Sequence, residues 1–93
     1  MAKVAAQKNG FAARLRTILR DGLATAGISA PRIDLEPIPG TKLNRVTILS
    51  SSFEKLRPSE RHDLVWRIVD TSLPRKEQLQ ISAIYTFAPN ELR

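Results

Sequence analysis

Ninety-three residues suffice for one domain with a modest core, because folding a chain this short buries only roughly 60 to 65 percent of its unfolded surface. The formal charge of +6 and a pI near 10.5 favour acidic partners, either nucleic acid or an acidic protein face. The absence of cysteine excludes disulfides, thiolate metal sites and thiol nucleophiles, and no stretch approaches the roughly 20 apolar residues that a membrane span needs. The expectation is a cytoplasmic monomer with no membrane attachment and no cofactor of its own.

Residues 1–10 carry Lys3 and Lys8 and no acid, and are expected to form a flexible basic lead-in to a single domain at 11–93. From Phe11 the pattern turns helical. Phe11, Leu15, Ile18, Leu19, Leu23 and Ala26 share one stripe, Gly22 lowers helicity without breaking it, and Gly27 is placed to end it. Arg32 to Glu36 alternates polar and apolar as a half-buried strand does, and Pro37 and Pro39 confine that strand to an edge or close it. A second strand follows at Arg45 to Ser50, close enough to pair antiparallel with the first.

Ser51 to Arg57 is a polar corner, and Pro58 suits the first turn of a helix because its missing N–H costs nothing there. Two cap registers compete, Arg57 with Glu60 reaching back or Ser59 with its own hydroxyl. Leu64, Val65, Ile68 and Val69 recur at helical spacing up to Ser72 or Leu73, where Pro74 stops the helix. Arg75, Lys76 and Glu77 read as a charged connection. Leu79, Ile81, Ala83, Tyr85 and Phe87 then alternate strictly and predict a strand with all five on one face, joined to the second strand in parallel through a right-handed crossover. Pro89 to Leu92 predicts a final helical turn. The fold class is therefore α+β in the order helix, strand, strand, helix, strand, short helix, with the helices on one face of a three-stranded mixed sheet.

The stretch from Arg45 to Leu92 resembles the BolA-like family. The resemblance lies in the apolar strand ending in Ser50, then Phe53, the Arg61-His62 pair at the head of a helix, Asp63-Leu64-Val65, and a last strand ending Tyr85-Thr86-Phe87-Ala88-Pro89 before Glu91. The first helix and strand match in type and length only. The resemblance implies a fold like the class II K-homology domain. It also implies a non-enzymatic role, either as a DNA-binding regulator or as a partner of monothiol glutaredoxins that shares an iron-sulfur cluster. The family's ligating His at the start of the last strand corresponds to Gln80, and its second ligand comes from the loop that is here Pro37 to Asn44. A carboxamide is a poor ligand for cluster iron. Lys55 also stands where the family usually has a small glycine.

The candidate binding residues are Lys55, Arg57, Arg61, His62, Arg67, Arg75 and Lys76. Lys and Arg dominate affinity for a phosphate backbone. Each also has a plainer explanation. Arg61 lies near the sheet side and would fork onto carbonyls or an acidic group, His62 would bond across the corner, and the others would be solvated charges. Trp66 and Tyr85 could stack on a base, although core or rim placement is commoner, with Trp66 expected to be the more exposed. A triad from Ser50, Ser51, Ser52 or Ser59 with His62 and Asp63 is disfavoured, since adjacent helix residues point apart. The K-homology GxxG loop is absent. The expectation is DNA binding through the corner and helix, with a glutaredoxin-like protein as the alternative partner.

Overall fold

The structure is a computed structural model that describes residues 10–91, so the expected lead-in at 1–10 lies outside the described residues except for Gly10, which instead opens the first helix. Helix α1 spans Gly10–Thr25, strand β1 Arg32–Pro37 and strand β2 Asn44–Leu49. A 3₁₀ turn at Ser51–Lys55 leads into helix α2, Pro58–Ser72. Helix α3 is a single turn at Arg75–Gln78, strand β3 spans Ile81–Phe87, and a second 3₁₀ turn covers Pro89–Glu91. The sheet order is β1-β2-β3, antiparallel between the first two strands and parallel between the last two. This is a small α+β fold with a three-stranded mixed sheet. No helix among the described residues is long and apolar enough to cross a membrane.

Local chemistry explains most boundaries. At the end of α1, Gly27 takes φ +84°, Gly27 N–H donates to Ala24 O at 3.1 Å and Ile28 N–H to Leu23 O at 2.9 Å. That pair of bonds satisfies two orphan helix carbonyls and folds Ile28 back onto the core beside Leu23. The β1–β2 loop turns at Ile38-Pro39-Gly40-Thr41, with Thr41 N–H donating to Ile38 O at 3.2 Å and Gly40 at φ +79°. Pro second and Gly third are what that turn geometry demands. At α2 the structure selects Arg57 as the cap, because the Glu60 carboxylate accepts from Arg57 N–H at 2.8 Å. The reciprocal half of a capping box cannot form, since a guanidinium has no acceptor.

The core lies between one sheet face and the two long helices. Leu15, Leu19 and Leu23 of α1 and Val65 and Val69 of α2 are fully buried against Val46 and Ile48 of β2, with Phe53 beneath the corner. Ala26, expected on the α1 stripe, is exposed, because the helix has already ended.

Two expectations for the last strand are corrected. Residues 75–78 form a helical turn rather than a plain connection: Pro74 sits at the cap, and Glu77 N–H and Gln78 N–H both donate to its carbonyl. Leu79 therefore falls after a helix instead of in the strand, and is 72% exposed. Within β3, the register jumps from Asn44↔Ile81 to Arg45↔Ala83, which leaves Ser82 as an extra residue whose hydroxyl donates to Asn44 O at 3.2 Å. One extra residue exchanges the two faces of everything after it. Ile81 points to the core, but beyond Ser82 it is Ile84 and Ala88 that are buried. Ala83, Tyr85 and Phe87 pass to the open face in register with Arg45, Thr47 and Leu49, where the Tyr85 and Phe87 rings stack at 6.5 Å. Tyr85 is thus 46% exposed while Trp66 is only partly so, the reverse of the expected order.

Candidate functional site

The corner is built by serines and closed by Arg61. The Ser50 hydroxyl donates to Ser29 O at 2.7 Å and accepts from Ser52 N–H at 3.2 Å, while Ser52 Oγ accepts from Ser29 N–H at 2.9 Å. These serines join the α1–β1 connection to the corner and are thereby occupied as structural groups. Arg61 is 3% exposed. Its Nε donates to Leu56 O at 3.0 Å, its two terminal nitrogens grip the Glu91 carboxylate at 2.7 and 2.8 Å, and its guanidinium lies 5.7 Å from the Phe53 ring centroid. Arg61 is accordingly withdrawn from the contact surface, as a fork onto a carbonyl and an acid at the sheet end. The Arg61 hydrogen bonds, the Ala88 N–H at 3.0 Å and the Arg61 charge hold the Glu91 carboxyl at about 2, against an opposing effect of burial.

Of the other corner candidates, Lys55, Arg57, His62 and Arg67 are all exposed. They do not form a cationic face. Glu54, Glu60 and Asp63 are exposed among them, so the surface from Ser51 to Arg67 carries nearly as many acids as bases. His62 does not bond across the corner. Its Nε2 accepts from the Trp66 indole N–H at 3.0 Å, one turn further along the same helix. That bond needs the Nε2 lone pair and hence a neutral ring with its proton on Nδ1. Trp66 is the sole tryptophan, so its emission reports the contact. His62→Ala should shift and brighten or dim that emission at neutral pH with little change in unfolding midpoint; an unaltered spectrum would mean that the bond is not formed in solution.

Arg75 and Lys76 do not join this group. At about 1.5 Å per residue, the 15 residues of α2 place them roughly 22 Å from Arg57, at the opposite end of the molecule. There Arg14 of α1 pairs with Glu77 of α3 through both terminal guanidinium nitrogens, holding the first turns of α1 against α3. The same contact draws the Glu77 carboxyl below its usual range and raises Arg14. Beside it opens a cleft of about 540 Å³ between the start of α1, the β1–β2 loop and Gln80. Phe11, Leu35 and Leu43 supply its apolar lining, Arg16 and Lys42 its cations, and Asn44 and Gln80 its carboxamides. The loop is fixed by Thr41, whose hydroxyl donates to Ile38 O at 2.8 Å and accepts from Leu43 N–H at 3.0 Å. Ile38 N–H also donates to Leu43 O at 3.0 Å.

No protein-family model matches the chain, and no curated protein matches it either.

The cleft lies where the resemblance would locate cluster ligands, and its residues do not fit that group. Gln80 and Asn44 offer amides, and among the described residues no group of three or more His, Cys, Asp or Glu could hold a metal ion. Neither Arg16 nor Lys42 is among the candidate residues that the sequence singles out. Their convergence is set by the tertiary packing of α1 on β1. The one local signal was the Pro39-Gly40 turn, which fixes where Lys42 emerges.

Proposed function

We propose that the protein is a non-enzymatic BolA-like domain, class II K-homology-like in fold, that acts as a regulator by docking on nucleic acid. The order of elements and the parallel crossover to β3 support the fold assignment. One observation carries the functional reading: of the eight cations that the four ion pairs among the described residues leave unused, half lie toward the Gln80 end, where few acids offset them. Arg16 and Lys42 line the cleft, Arg75 and Lys76 stand on the helical turn that leads to Gln80, and Asp70 is the exposed acid beside Arg75. At the corner, Lys55 and Arg57 are offset by Glu54 and Glu60. The phosphate backbone is thus received at the Gln80 end more than at the corner.

Each phosphate neutralised lowers the log–log salt slope of binding by about 0.9. Fluorescence anisotropy with a short DNA duplex should give a slope of about −3 to −4, and replacing Lys42, Arg75 and Lys76 together by Gln should flatten it by about 2 to 3. The pair Lys55→Gln and Arg57→Gln should change it by less than about 1. Binding indifferent to ionic strength would refute docking on phosphates, and a larger loss from the corner pair would move the contact there.

A second reading is favoured by the meeting of the β1–β2 loop and Gln80 at one cleft. It makes the protein an adaptor for a monothiol glutaredoxin-like partner, without supplying cluster ligands. Titration with such a protein would then shift amides at residues 37–44, at Gln80 and around Ser51 to His62.

A further inference from the structure

The Gln80 cleft holds more than charge. Its lining combines an aromatic ring and aliphatic floor, two cations and two carboxamides within one concavity, and its volume of about 540 Å³ lies in the range of small-molecule sites. None of the four ion pairs among the described residues uses Arg16 or Lys42. The side-chain hydrogen bonds among those residues leave the amides of Asn44 and Gln80 unengaged, and the bonds made at these positions run through backbone: Asn44 N–H to Gln80 O at 2.8 Å and Ser82 Oγ to Asn44 O. The walls are fixed by the strand pairing, the Pro39-Gly40 turn and the Thr41 bridge, so a ligand meets a preformed site.

We infer that this cleft takes a single nucleotide, its phosphate on Arg16 and Lys42, its base against Phe11 and its edge on the carboxamides of Asn44 and Gln80. The inference rests on the nucleic-acid function proposed above and assigns the form of strand recognised. A simple phosphate would need only the cations and would leave the apolar lining and the amides uncovered. An aliphatic carboxylate would cover the lining and could accept from the amide N–H groups, but it brings no donor for the oxygens of two carboxamides, each of which presents a donor and an acceptor side by side. A nucleobase edge presents the same alternation, and its flat face suits an aromatic ring. Inside a duplex the Watson–Crick edge is paired and both faces are stacked, so a base that lies on Phe11 while its Watson–Crick edge meets the carboxamides must be unstacked, from a free nucleotide or from a single strand. Strand-level binding follows from the neighbouring cations Arg75 and Lys76, which would receive the next phosphates.

The test is an amide-shift titration of the full chain with adenosine 5′-monophosphate, adenosine and inorganic phosphate, followed by anisotropy with an eight-nucleotide single strand and its duplex. The expected result is saturable shifts at Phe11 to Arg16, Thr41 to Asn44 and Gln80 with the nucleotide, at least tenfold weaker with phosphate alone or adenosine alone, and tighter binding of the single strand than of the duplex. A single strand that binds much tighter than the mononucleotide makes the strand the source of the ligand; equal affinities make it the free nucleotide. Gln80→Leu should weaken the nucleotide severalfold without altering phosphate binding, whereas Arg16→Gln should weaken both. Phosphate shifting the same amides as strongly as the nucleotide would overturn the inference in favour of a bare anion site. Duplex binding with no nucleotide shifts in the cleft would overturn it while leaving the proposed function in place, and no binding of any nucleic acid would overturn both.

Discussion

Replacing Arg61 with alanine should cost about 3 kcal/mol of folding stability, a large share of what a domain of this size possesses. The guanidinium ties the corner, through Leu56 O and the buried Phe53 ring, and the head of α2 to the last 3₁₀ turn, through Glu91, 30 residues further on. Truncation leaves a space beside Phe53, strips the Leu56 carbonyl of its donor and releases the Glu91 carboxylate, whose side chain is 38% exposed and can rehydrate. Lysine is not a substitute, because its single ammonium cannot grip both carboxylate oxygens and a carbonyl together, so Arg61→Lys should recover only part of the loss. Glu91→Gln should also destabilise, since it leaves a buried guanidinium facing a neutral amide. Urea unfolding of the three variants measures this. An Arg61→Ala midpoint indistinguishable from wild type would show that the fork contributes nothing to stability, as happens when two partners are equally well served by water.

The same contact dictates the acid response. Glu91 titrates at about 2 in the folded protein against an ordinary 4.5, so the folded state binds its proton more weakly than the unfolded chain does. The stability it contributes is fully present above about pH 4.5, and it declines as pH falls and is gone once pH passes below about 2. Glu77, lowered by Arg14, acts in the same direction. The wild-type advantage over Glu91→Gln should therefore be constant near neutrality and shrink between those two values. A difference that stayed level to pH 2 would mean that Glu91 is not ionised in the pair.

The elements were legible because their signals are local. Apolar spacing at 3.6 gave α1 and α2, Gly27 and Pro74 gave two of the stops, and the proline-rich loop between two short strands gave an antiparallel pair. The choice between Arg57 and Ser59 as cap was undecided in the sequence because each has a chemical justification; Glu60 decides it by reaching Arg57 N–H. The face exchange in β3 was illegible for a clearer reason. The alternation from Leu79 to Phe87 is unbroken, and the bulge at Ser82 exists only relative to β2. The burial of Arg61 was half legible, since its position one turn before Leu64 and Val65 pointed to the sheet side. Beyond the Pro39-Gly40 turn and the loop and Gln80 that the resemblance pointed to, the cleft was not legible, because its walls come from residues 11–16, 35–44 and 80, and only packing brings these segments together.

Gly22 shows how a residue that weakens a helix in isolation can be required by the fold. Exchanging glycine for alanine in a helix interior ordinarily gains about 1 kcal/mol. A methyl on Gly22, however, would stand 2.5 Å from Ile68 Cγ2 and 3.0 Å from its Cγ1 and Cδ1, on the line where α1 and α2 pack. Cγ2 branches from the β-carbon, so it retreats only if the side chain leaves its rotamer or the helices separate. Gly22→Ala should hence lower stability despite the propensity gain, and Gly22→Val, which adds two further carbons and loses most of that gain, should lose about 3 kcal/mol. The cause can be isolated by a double-mutant cycle. Ile68→Val keeps Cγ2 and should leave the penalty of Gly22→Ala in place, whereas Ile68→Ala removes Cγ2 and should relieve most of it. If Gly22→Ala raised the unfolding midpoint in the wild-type background, the helices would not be in contact at this position and the gain would be the bare propensity. If the penalty were identical before both Ile68 replacements, the obstacle would be backbone rather than the isoleucine branch.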